Sequence, residues 1–203
     1  MEGIRHEPTG SLHKGAKREE ADRINLDILV IGAAQAGLAL GFHLRKTPFR
    51  FQIVDRNTRV GGSWRKRFDS LVLFTPRAYS ALPGLAVPGD PDDYPTKDEM
   101  ADYLETYANH FDLPVVLGTG IRRIERVDGG FRAITDGEKV IDCRAVVLAT
   151  GAFQRPAIPE VSKQLSQEVL QLSPENYKAR DSFRPEGCWW WETEQRGEKS
   201  RAS

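Results

Sequence analysis

The apolar positions between Asp27 and Asp55 change period twice. Asp27-Ile28-Leu29-Val30-Ile31 sets four apolar residues in a row behind an acid, Gly32-Ala33-Ala34-Gln35-Ala36-Gly37 interrupts them, and a helix-like run follows. Phe51-Gln52-Ile53-Val54-Asp55 then resumes strand character. The pattern predicts strand, glycine turn, helix and second strand, a βαβ unit.

Downstream, the paired glycines of Arg59-Val60-Gly61-Gly62-Ser63-Trp64-Arg65 predict a bend with accessible backbone N–H groups. Leu71 to Pro76 reads as a short strand or extended segment closed by proline. Four prolines between Ala81 and Pro95 exclude a helix or central strand there and predict an ordered loop. Thr96 and Glu99 form a capping box ahead of Met100, Tyr103, Leu104, Tyr107 and Ala108 at helical spacing, which makes those aromatics core contacts. Val115-Val116-Leu117 reads as a short buried strand. Ile121 to Ile141 alternates around Asp128-Gly129-Gly130 and Asp136-Gly137-Glu138, predicting a three-stranded antiparallel meander. The unbroken Ala145-Val146-Val147-Leu148 run into Ala149-Thr150-Gly151 predicts a parallel strand covered on both faces.

The glycine turn brings in chemistry. Gly32 permits the turn, Gly37 lets helix and strand approach closely, and the helix N-terminus offers free N–H groups to a pyrophosphate. Asp55 lies 23 positions beyond Gly32, where a ribose-binding acid belongs. Ala34 occupies the position of the usual second glycine, which it can fill with a negative φ. An ordinary α/β turn containing glycines is the alternative. Trp64 and Arg65 read either as a second wall of a cofactor site, meeting a flat ring and phosphate or flavin oxygens, or as a surface turn.

Composition limits the rest. Twenty-nine Lys and Arg balance twenty-nine Asp and Glu, so no net field favours nucleic acid or an anionic membrane. No apolar run reaches the ~18 residues of a membrane span. Two cysteines without a C-x-x-C suit a reducing cytoplasm and argue against a dithiol site. Met1 to Arg23 is polar and aperiodic, a flexible leader whose His6 and His13 lack further ligands, so no metal site is expected.

From Leu26 to Tyr177 these motifs, in this order, resemble the FAD- and NADPH-dependent flavoprotein monooxygenases. That group includes the flavin-containing and Baeyer–Villiger-type enzymes and their plant auxin-pathway relatives. The resemblance is carried by Gly32 to Gly37, Asp55, Gly61-Gly62-Ser63-Trp64-Arg65, Leu73-Phe74-Thr75-Pro76, Tyr79 to Gly84, Tyr94-Pro95-Thr96 and Ala149-Thr150-Gly151. It implies an α/β fold, a Rossmann-like FAD-binding domain of parallel sheet plus meander, truncated from a flavoprotein with two dinucleotide-binding domains. The implied organisation is a leader over 1–25, an incomplete FAD domain over 26–160, a linker over 161–187 toward an absent NADPH domain, and a tail over 188–203.

By the same resemblance Gly32, Ala34, Gln35, Ala36 and Gly37 hold the FAD diphosphate, and Asp55 with Arg56 meets the adenosine ribose. Gly62, Ser63, Trp64, Arg65 and Thr75 lie on the flavin side. Ile121 passes the adenine, and Ala149, Thr150 and Gly151 mark the crossing toward NADPH. The implied reaction is oxygen transfer from a flavin hydroperoxide to a small organic substrate, with no catalytic acid or base assigned. An NAD-dependent Rossmann dehydrogenase is the alternative, disfavoured by the meander and the Ala-Thr-Gly turn. A disulfide-reductase flavoprotein is disfavoured by the missing C-x-x-C.

After Gly187 the pattern fails. Cys188-Trp189-Trp190-Trp191-Glu192-Thr193-Glu194 fits neither helix nor strand, and three adjacent tryptophans in a polar context would form an exposed apolar patch. Tryptophan has a single codon, so this run is TGG-TGG-TGG. Read one base earlier, it becomes Leu-Val-Val-Gly, and the following positions permit Asn or Asp, Gly, Thr or Ala, Thr or Ala, and Gly. That is a strand entering G-x-G-x-x-G, where an NADPH motif would begin. The expectation is an out-of-frame tail over 188–203 and a chain that is by itself inactive.

Overall fold

The computed structural model describes residues 23–152, 156–173 and 176–179. The leader through residue 22 and the tryptophan-bearing tail lie outside the described residues. Two compact units are present. The first combines residues 23–58 with 111–149, and the second combines residues 59–110 with the described residues from 150 onward.

The first unit is built on a six-stranded mixed sheet. Its strands are β1 (Arg23–Ile31), β2 (Phe51–Val54), β3 (Val115–Val116), β4 (Ile121–Val127), β5 (Gly130–Thr135) and β6 (Val140–Leu148), in the order β3-β2-β1-β6-β5-β4. β3, β2, β1 and β6 run parallel, while β4, β5 and β6 form the antiparallel meander. Helix α1 (Gln35–Leu44) joins β1 to β2, the expected βαβ unit. Its Gly41 faces β2 so closely that an added Cβ would lie 2.7 Å from Ile53 Cδ1. Leu29, Val54, Ala133, Ile141 and Cys143 form a buried cluster, so one core spans the parallel strands and the meander.

Several expectations change in the structure. β1 starts at Arg23, four residues before Asp27, because Arg23 to Leu26 pair with Val140 to Cys143. The last meander strand and the Ala145 strand are one continuous β6, which lies parallel to β1 along its length and antiparallel to β5 over its first half. The described residues do not cover Ala145 to Leu148 on both faces: Ala145 to Val147 are half-buried and Leu148 is 68% exposed. Leu117 lies outside β3, and β3 is not buried, because it stands at the edge of the sheet with Val116 36% exposed.

The second unit centres on helix α4 (Lys97–His110), preceded by the one-turn helices α2 (Gly62–Arg65) and α3 (Arg77–Ser80). The capping box is formed, with Thr96 N–H donating to Glu99 Oε2 at 2.7 Å and Glu99 N–H to Thr96 Oγ1 at 3.3 Å. Met100, Tyr103, Leu104, Tyr107 and Ala108 are buried as their spacing predicts. The two tyrosines also carry polar contacts. Tyr103 donates to the Leu85 carbonyl and accepts from Leu82 N–H, and Tyr107 donates to the Pro83 carbonyl, so α4 clamps the proline loop. Leu71 to Pro76 forms no strand, only a bridge between Val72 and Thr96. Its extended backbone finds a partner in the 93–97 segment, with Leu73 N–H on the Pro95 carbonyl.

Candidate functional site, a dinucleotide turn

In the first unit the turn between β1 and α1 has the geometry that phosphate binding needs. Gly32 takes φ 113°, a left-handed value open to glycine. A Cβ on Gly37 would collide with the Gly32 carbonyl oxygen, so only glycine allows this approach. Ala34 sits at φ −102° and ψ −164°, ordinary extended backbone, which is why alanine serves where a glycine is common. No side chain caps α1 and no acid stands in its first turn, so its leading N–H groups lack intrahelical partners and carry the positive end of the helix dipole.

Asp55 closes the turn from the end of β2. Its Oδ2 accepts Ala33 N–H at 2.8 Å, and its Oδ1 accepts both Asn57 N–H and Asn57 Nδ2 at 2.8 Å. The spacing from Gly32 signalled an acid but not this bracing role. A carboxylate offers about four acceptor positions, so three internal donors leave Oδ2 room for one more. Asn57, which the motif did not single out, orients the carboxylate. Arg56 is exposed beside it, and Ile121 opens β4 half-buried. Ala149 N–H donates to the Ile31 carbonyl at 2.8 Å, which aligns the end of β6 with the end of β1.

In the second unit Gly61 takes φ 75°, and an added Cβ would lie 2.7 Å from the Ala101 carbonyl oxygen, so α2 rests directly on α4. Gly62, Ser63, Trp64 and Arg65 are α2 itself, with Trp64 half-buried. Arg65 Nη2 meets Asp102 at 2.6 Å and Glu105 at 3.5 Å, and Arg59 Nη2 meets Glu105 at 2.6 Å. The Arg59 guanidinium holds the Glu105 carboxyl below its ordinary range. Arg65 Nε is buried without an acceptor among the described residues. Thr75 is half-buried and its carbonyl accepts Ser80 Oγ at 3.0 Å, while Thr150 and Gly151 are exposed. Among the described residues no group of His, Cys, Asp and Glu could hold a metal ion, and no helix is long and apolar enough to cross a membrane.

Residues 29–182 match the family described as pyridine nucleotide-disulphide oxidoreductase. A CzcO-like oxidoreductase of Geobacillus kaustophilus is 49% identical over 152 residues, covering 75% of this chain and 43% of that protein. The probable indole-3-pyruvate monooxygenase YUCCA9 of Arabidopsis thaliana is 32% identical, covering 77% and 39%. The solved flavin-containing monooxygenase of Stenotrophomonas maltophilia superposes with a TM-score of 0.65 at 31% identity, covering 68% and 42%. The fold and turn are those of a dinucleotide-binding domain. The chain belongs to the pyridine nucleotide-disulphide oxidoreductase family, and flavin monooxygenases are among the proteins it resembles. It spans about two fifths of the length of these relatives.

The residues of the first unit fit FAD: the α1 N-terminus, with no capping side chain and no acid in its first turn, suits a diphosphate, and Asp55 keeps an acceptor position beside it.

Proposed function

We propose that the chain is the FAD-binding portion of an NADPH-dependent flavin monooxygenase acting on a small organic molecule. The observation that carries it is the Gly32 to Gly37 turn braced by Asp55. Gly32, Ala34, Gln35, Ala36 and Gly37 hold the diphosphate, and Asp55, Arg56 and Ile121 serve the adenosine end. Gly62, Ser63, Trp64, Arg65 and Thr75, with Ala149, Thr150 and Gly151, are carried forward on the resemblance as residues approaching the flavin or the NADPH side. FAD when bound supplies the redox and oxygen-transfer chemistry; the chain supplies binding, orientation and exclusion of water. The two cysteines without a C-x-x-C support a reducing cytoplasm.

The one-base-earlier reading behind Trp189 to Trp191 favours a second reading for the chain itself, a non-catalytic remnant that binds FAD without oxidising NADPH. Titration of the purified full chain with FAD, followed by tryptophan quenching and visible flavin absorbance, tests the first proposal. Saturable quenching is expected, and its absence overturns FAD binding. NADPH oxidation by the FAD-loaded chain would overturn the remnant reading. Sequencing the coding DNA across Gly187 decides the frame: codons that do not yield glycine at both permissive positions overturn the shift.

A further inference from the structure

We propose that Asp136, in the β5–β6 hairpin, accepts a hydrogen bond from the adenine amino group and so selects adenine nucleotides. The inference rests on the FAD-binding reading and concerns the adenosine end of that site.

The backbone leads from the ribose acid to this residue. Asp55 N–H donates to the Val116 carbonyl at 3.0 Å, Thr119 N–H to the Asp55 carbonyl at 2.8 Å, and Gly118 N–H to the Asn57 carbonyl at 2.9 Å. The 116–119 segment is therefore laced alongside Asp55. Gly120 follows it, and the space its side chain would take is occupied by the Asp136 carboxylate, with which an added Cβ would collide. Asp136 N–H donates to the Gly120 carbonyl at 2.9 Å, which pins the hairpin there. Arg56 Cβ lies 3.6 Å from the same Cβ position, so Arg56, Gly120 and Asp136 converge beside Asp55.

Asp136 is exposed, and among the described residues its carboxylate has no hydrogen-bond or ion-pair partner. A carboxylate offers only acceptors. Adenine offers one donor group on its ring edges, the exocyclic amine, so that is the atom a free carboxylate at this position can recognise. Purine riboside, which lacks the 6-amino group and has no N1–H, offers a carboxylate no donor on that edge.

Calorimetric titration of the full chain with ADP and with purine riboside 5′-diphosphate tests the idea without any flavin chemistry. The wild-type chain should bind ADP about tenfold or more tightly than purine riboside 5′-diphosphate, the scale of one charge-assisted hydrogen bond. Asp136→Ala should bind the two equally. Asp136→Asn keeps the size of the hairpin residue and can donate as well as accept, so its preference should also collapse. Equal wild-type affinities would overturn the proposal, as would variants that weaken both nucleotides in parallel, the mark of a structural role. If the wild-type chain binds neither ADP nor FAD, the FAD-binding reading falls and this inference with it. If FAD binds while ADP and purine riboside 5′-diphosphate do not differ, this inference alone falls.

Discussion

At Gly37 there is no room for a methyl group, because a Cβ there meets the Gly32 carbonyl oxygen. Gly37→Ala must push α1 away from β1 or distort Gly32, overpacking of a kind that costs about 1–3 kcal/mol. A lower thermal midpoint together with lost FAD quenching is the expected outcome, and two unchanged readings would mean the turn has slack. Asp55 illustrates the limit of motif reading at this scale. Its position was legible from the spacing, but its three internal donors depend on how Asn57 turns back, which no linear pattern encodes. Tyr107 carries a pH prediction. Burial pushes its phenol up to about 12, whereas an unfolded tyrosine ionises near about 10. Below the unfolded value both states are neutral and stability is whole. Above it the unfolded chain alone releases the proton, so stability falls as pH climbs toward the folded value. Tyr103 is shifted in the same direction by burial. Tyr107→Phe should cost about 1 kcal/mol near neutrality by losing the bond to Pro83. It should also flatten the alkaline decline of the thermal midpoint.

Among the elements, the meander is held by charge as well as by its ladder. Asp142 on β6 takes Arg132 of β5 at 2.8 Å and Arg23 of β1 at 3.2 Å, so one carboxylate links three strands. The hydrogen bond from Arg132 holds its carboxyl below the usual range. A depressed carboxylate contributes stability above its unfolded pKa, and that contribution is lost as pH falls through the folded value. The midpoint of the wild-type chain should therefore drop on acidification below about pH 4, and Asp142→Asn should start lower and drop less steeply. Parallel pH profiles would remove Asp142 from the account. The meander, the capping box and the α4 face were legible because alternation, turn glycines and helical spacing are local signals. For Leu71 to Pro76 the pattern left a short strand and an extended segment open, and the structure takes the extended form. Its apolar run resembles a strand, but its backbone bonds are set by the distant 93–97 segment. The reach of β1 back to Arg23 likewise depends on the far end of β6, 117 residues away in sequence, where Arg23 pairs with Val140.

For the whole molecule, the sheet edge at the second half of β6 decides how the chain behaves in solution. Ala149 N–H points to β1, so by strand alternation Val147 and Ala145 also face β1, while Val146 and Leu148 turn their N–H and C=O groups the other way. Among the described residues no strand pairs with that side beyond Cys143, and Leu148 presents an apolar side chain with 68% exposure. The nearest charge on the strand, Arg144, is engaged with Asp27. An unpaired, uncharged edge beside exposed leucine is a template for another chain. Self-association that rises with concentration is therefore expected of the full chain. Leu148→Lys leaves the backbone pairing with β1 untouched and sets a charge on the open edge, the usual protection of such strands. Light scattering of this variant should fall toward the monomer value while its far-ultraviolet circular dichroism stays that of the wild type. If scattering persists with the fold intact, association runs through another surface, and the β6 edge is covered in solution.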